Sequence, residues 1–85
     1  MRDFIKRNER VEYAFNLTAF LSDVRLKTGC EGVNALEIAT GVSASMFSRW
    51  DHGKTIDMKP FMHLCGVCQL EPGNYFDRQV WELKK

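Results

Sequence analysis

The chain has 85 residues, 45% of them hydrophobic and 12% aromatic, which suits one domain with one core. Its 12 Lys and Arg against 11 Asp and Glu leave a net charge of +1, without the strong basic bias of many nucleic-acid binders. Any DNA affinity must then come from where the charges sit, or from doubling a modest surface in a dimer. No apolar run approaches the length of a membrane span, and the basic start Met1-Arg2-Asp3-Phe4-Ile5-Lys6-Arg7 has no apolar run after it, so neither a span nor a signal peptide is expected. An odd count of 3 cysteines fits reduced thiols better than a disulfide framework, and points to a cytoplasmic protein.

The sequence contains no internal repeat and no low-complexity tract, so residues 1–85 read as a single domain. Residues 1–15 form an N-terminal arm or extension. Val11, Tyr13 and Phe15 alternate with Glu12 and Ala14, a weakly strand-like pattern, yet the stretch can equally extend the next helix backwards. Helix or arm is the preferred reading there. The first helix starts at a cap on Asn16 or Thr18, carries Leu17, Phe20, Leu21 and Val24 at helical spacing, and stops at Gly29. Residues 30–33 read as a loop. The second helix runs from about Asn34 to Thr40, with Asn34 as cap and Glu37 three residues on in a capping-box arrangement.

Gly41 can take a left-handed conformation at no steric cost, and Ser43 can cap the next helix at once. The third helix spans Ala44 to about Asp51. Phe47 and Trp50 share its inner face, with Val42 as a staple, while Ser45, Ser48 and Arg49 are left on the other. His52-Gly53-Lys54-Thr55 is a turn. The fourth helix starts near Asp57 or Met58, tolerates Pro60 in its first turn, and buries Phe61, Leu64, Cys65 and Cys68. Pro72-Gly73-Asn74 is another turn, Tyr75 and Phe76 close the core, and the tail 77–85 holds Val80, Trp81 and Leu83 in a short helix or strand. The fold class expected is therefore all-α: a compact bundle of four to five helices, with a C-terminal strand or helix available for dimerisation.

A short helix, a glycine turn and a second short helix make a helix-turn-helix, whose second helix fits the major groove with its outward side chains at base edges. The run Leu36-Glu-Ile-Ala-Thr-Gly41-Val-Ser-Ala-Ser-Met-Phe47-Ser-Arg-Trp50-Asp-His-Gly53-Lys resembles the Cro/C1-type (XRE) helix-turn-helix family, as does Leu64-Cys-Gly-Val-Cys-Gln-Leu70-Glu-Pro-Gly73-Asn-Tyr-Phe76. The segment from Val42-Ser43 to Ser48-Arg49-Trp50 is also similar to lambda CII-type phage regulators. The resemblance covers roughly residues 17–76 and implies a lambda-repressor-like domain.

It implies core roles for Leu36, Val42, Phe47 and Trp50. Ser43, Ala44, Ser45, Ser48 and Arg49 would face DNA, and Asn34, His52, Lys54 and Lys59 would touch phosphate. Glu37 departs from the family pattern, which places a small residue there, and the loop at 29–33 is longer than usual. Arg49 is the side chain expected to read a base, through guanine O6 and N7. The function implied is a sequence-specific regulator, a phage or mobile-element repressor or Cro-like switch, binding a palindromic operator as a homodimer through Val80, Trp81 and Leu83. The competing reading is a helix-turn-helix used as a protein-interaction module, an antitoxin or host-factor-binding protein, which the near-neutral charge favours.

Cys65-x-x-Cys68 has a zinc-like spacing, with His63 adjacent and Cys30 as a third thiol. However, positions 65 and 68 lie on the inner stripe of a helix, where cysteine behaves as a small hydrophobe, and a second cysteine pair is missing. No metal or cofactor is expected. A redox switch on the same pair would need exposure and a lowered pKa. There is no serine–histidine–acid logic and no phosphate loop, so an enzyme is not expected.

Overall fold

The computed structural model describes residues 9–82. Strand β1 (Glu9–Phe15) leads into helix α1 (Leu17–Thr28), followed by α2 (Val33–Thr40), α3 (Ala44–Asp51) and α4 (Met58–Cys68). A 3-10 turn (Pro72–Tyr75) then feeds strand β2 (Phe76–Glu82), which pairs antiparallel with β1 from Phe15↔Phe76 out to Glu9↔Glu82.

The expectation of an all-α bundle is corrected by this pairing: the described residues form a mixed domain of four α-helices and a two-stranded antiparallel sheet. The weak alternation at Val11, Tyr13 and Phe15 is a strand, not a helix or a loose arm, because β2 supplies the ladder that stabilises it. That partner lies more than sixty residues away, so the local pattern alone did not decide. The described part of the tail, as far as Glu82, is correspondingly strand, not helix. Lys6 and Arg7 of the expected arm, and Leu83 of the expected dimer contact, lie outside the described residues.

The helix ends follow local chemistry. Asn16, not Thr18, caps α1, its Oδ1 accepting the Ala19 N–H at 3.0 Å. Gly29 ends that helix in the left-handed region. The cap of helix α2 lies two residues earlier than expected, on Gly32, whose carbonyl accepts the Leu36 N–H at 3.0 Å. Asn34 therefore lies inside the helix, and the capping box is not formed. Ser43 caps α3 as expected, its Oγ accepting the Met46 N–H at 3.3 Å.

The core is one cluster. Phe20, Val24, Leu36, Phe47 and Leu64 are wholly buried, and Val42, Trp50, Phe61 and Tyr75 nearly so. Each such side chain contributes about 1.5–3 kcal/mol by leaving water. Val42, just before the α3 cap, and Phe47, one turn in, are both in the cluster, as the staple requires. Phe15 and Phe76, opposite one another in the ladder, plug the sheet into this core: Phe15 lies 5.1 Å from both Phe76 and Phe61, ring centre to ring centre. The Asn16 N–H donates to the Tyr75 carbonyl at 2.7 Å and closes the seam where the strands meet the helices.

Candidate nucleic-acid interface

The turn between α2 and α3 is held by five polar contacts beyond the Ser43 cap. Gly41, at φ 82°, donates its N–H to the Glu37 carbonyl at 2.8 Å. The buried Thr40 hydroxyl donates to the Leu36 carbonyl at 2.7 Å and accepts the Val42 N–H at 3.2 Å. From α4, His63 Nε2–H donates to the Thr40 carbonyl at 2.8 Å. Glu37 reaches forward, its Oε1 accepting the Ala44 N–H at 3.3 Å, at the first residue of α3.

The far end of α3 is tied to α1. Arg25 grips Asp51 with two parallel bonds, Nη1 to Oδ1 at 3.0 Å and Nη2 to Oδ2 at 2.8 Å, while its Nε donates to the Glu31 carbonyl at 2.9 Å. The bond to Asp51 raises the Arg25 pKa further above its ordinary range, against the opposing effect of burial. Helix α3 is thus fixed by Glu37 at its start, by Arg25 at its end, and by Phe47 and Trp50 on its inner face, their rings 5.3 Å apart.

The remaining surface of α3 is small and polar. Ser45 and Arg49 are exposed, and Ser43, Ala44 and Ser48 are half-buried. The Ser43 and Ser45 hydroxyls lie 3.2 Å apart, so Ser43 serves the cap and Ser45 while facing outward only in part. Among the described residues, Arg49, Lys54 and Lys59 enter no ion pair. Lys54 is exposed in the turn that Gly53 makes at φ 87°, with its own N–H on the Arg49 carbonyl at 3.0 Å. Lys59 lines an open surface depression with Gly41, Ser43, Met46 and His63, so it sits beside the helix-turn-helix turn. Asn34 is exposed near the start of α2. His52 is exposed but folds back, its Nδ1–H donating to the Ser48 carbonyl at 2.7 Å. A neutral His52 therefore offers solvent only an acceptor, and contact with a phosphate requires a protonated ring.

Sequence reasoning singled out Glu37 as a departure without finding its bond to Ala44. It also missed the Arg25–Asp51 clasp and the His63–Thr40 bond, each joining residues more than twenty positions apart. Cys65 and Cys68 are buried on the inner side of α4, and burial pushes both thiols up, away from the reactive thiolate. Among the described residues no three His, Cys, Asp or Glu gather as a metal cluster, and no helix is long and apolar enough to cross a membrane. The chain matches no protein-family profile, no curated protein and no solved structure.

Proposed function

We propose that the protein is a sequence-specific DNA-binding regulator of the Cro/C1 type, reading the major groove with α3. The observation that carries this reading is a helix fastened at both ends and along one face, whose free face is Ser45, Ser48 and Arg49, with an arginine in no ion pair. A helix held so firmly can present side chains to base edges without losing their geometry. Arg49 is the base reader, worth about 1–3 kcal/mol of discrimination if bidentate on guanine. Lys54, Lys59 and Asn34 flank the helix as phosphate contacts, which add affinity without sequence information. On this reading the protein works in the cytoplasm and is a repressor or Cro-like switch of phage or mobile-element type.

The dimer belongs to the same proposal. In the ladder Val11 pairs with Val80 and Tyr13 with Arg78, on the face that Phe15 and Phe76 root in the core. Beyond that root Val11 and Val80 are 43% exposed and Tyr13 63%. A two-stranded sheet is marginal alone and leaves both outer edges unpaired, so a second copy packing on this ribbon would stabilise it. Of the three residues expected to make the dimer, Val80 lies on this face; the side chain of Trp81, like Leu83, is outside the described residues. Val80→Asp is expected to turn a sedimenting dimer into a monomer, and an unchanged dimer would remove the ribbon from the interface.

The test of function is selection of bound sequences from random duplexes, with titrations at low and moderate salt and Arg49→Ala in parallel. Enrichment of a palindrome, weakening with salt and lost preference in Arg49→Ala support the regulator. No binding even at low salt removes it and leaves the protein-interaction module. That second reading is favoured by the net charge of +1 and by Ile38, which α2 exposes at 88%.

A further inference from the structure

We propose that Glu37 is the positioning residue of α3 and, through its charge, the regulator of how strongly that helix meets phosphate. This rests on the DNA-binding reading above. The free N–H groups at a helix start form a natural seat for an anion. In α3 that seat is partly taken by the chain itself: the Glu37 carboxylate bonds the Ala44 N–H, and the Ser43 hydroxyl takes that of Met46. Glu37 is exposed, and its own carbonyl receives the Gly41 N–H. One residue therefore holds the turn by its backbone and the next helix by its side chain. The bond fixes the start of α3 relative to α2, and the carboxylate places a negative charge where a DNA phosphate would otherwise dock.

Two substitutions separate the bond from the charge. Glu37→Gln keeps an oxygen for Ala44 and removes the charge. Glu37→Ala removes both. Glu37→Gln is expected to bind selected and unrelated duplexes about fivefold more tightly at low salt, the effect of one charge at close range in water. The ratio between the two duplexes stays as in wild type, and the slope of log affinity against log salt steepens by about one unit. Glu37→Ala is expected to share the steeper slope but to lose several-fold in that ratio, because α3 is no longer held at its start.

Amide exchange at Ala44, read without DNA, is expected to be slow in wild type and Glu37→Gln and fast in Glu37→Ala. Thermal melting of each protein shows whether it is folded, and the Glu37→Gln comparison stands even if Glu37→Ala is not. Equal affinities and slopes in wild type and Glu37→Gln overturn the role of the charge. Equal ratios in the two variants, or equal exchange at Ala44, overturn the role of the bond. No DNA binding by any of the three sinks the DNA-binding reading and the charge role with it, while Ala44 exchange still decides the bond.

Discussion

Arg25 ties the end of α3 to α1 by polar bonds, and removing it has a calculable effect. Its guanidinium makes three bonds, two to Asp51 and one to the Glu31 carbonyl. The side chains of Arg25 and Asp51 are only 21% and 32% exposed, so solvent screens the pair less than the exposed pairs that contribute about 0.2–1 kcal/mol. Bidentate, charge-assisted geometry adds to that, and a net coupling of about 1.5–2 kcal/mol is expected. Arg25→Met keeps the aliphatic stem and isolates the head group. In a domain of this size it should lower the melting temperature by about 10 °C. Arg25→Lys recovers less than half, since an ammonium cannot match the fork. The assay is denaturation by circular dichroism on wild type, Arg25→Met, Asp51→Asn and the double variant, closed as a cycle. A coupling energy under about 0.5 kcal/mol would refute the reasoning, because the pair would then behave as an ordinary surface contact.

Two further outcomes follow from the same geometry. Thr40→Val fills the site but leaves the Val42 N–H without its acceptor, and should cost about 1–2 kcal/mol in urea denaturation, with Thr40→Ser near wild type; equal losses in the two would show that shape, not the hydroxyl, matters there. Tyr75 is held protonated, its pKa pushed from 10.0 up to about 12, first by burial and then by its bond to Asp23 at 2.6 Å. A raised folded pKa contributes stability that is complete below pH 10 and lost as pH climbs toward 12, so wild type should lose on the order of 2 kcal/mol more than Tyr75→Phe across that window. Parallel alkaline profiles for the two proteins would contradict it.

What could be read in advance is what neighbours in sequence decide. The Asn16 and Ser43 caps, the glycine stops at 29 and 41, and the inner pair Phe47 and Trp50 each need only a few adjacent residues to make sense. The pieces that escaped are contacts between distant residues: Phe15 with Phe76, Arg25 with Asp51, Thr40 with His63, Asp23 with Tyr75. The sheet is the clearest case, since β1 carries the alternation of a strand but β2, with charges among its apolar residues, carries it faintly. Neither strand is convincing until they pair. The α2 start shows a different limit. Asn34 is a good cap by its chemistry, but Gly32 already supplies the extended backbone, and the helix begins where its first carbonyl can be used. Glu37, released from the capping box, is then available to Ala44.

The near-neutral charge weighs against DNA binding less than it first suggests, because a duplex meets the local balance beside α3 and not the net charge of the chain. Asp51 is matched by Arg25 and Glu12 by Arg10, while Asp23 receives the Tyr75 hydroxyl. What remains beside α3 is Arg49, Lys54 and Lys59, opposed by Glu37 and by Asp57 at the start of α4. Three cations can neutralise at most about three phosphates, a salt slope of about −2.7 for one protomer and about −5 for two. A single protomer with so shallow a slope binds weakly at moderate salt, so on the proposed reading sequence preference must come from Arg49 and affinity from the second copy. A measured slope near −10 would break this argument at a definite place. It would require phosphate contacts from cations away from α3, and Lys6 and Arg7 of the N-terminal segment would be the first to replace by glutamine.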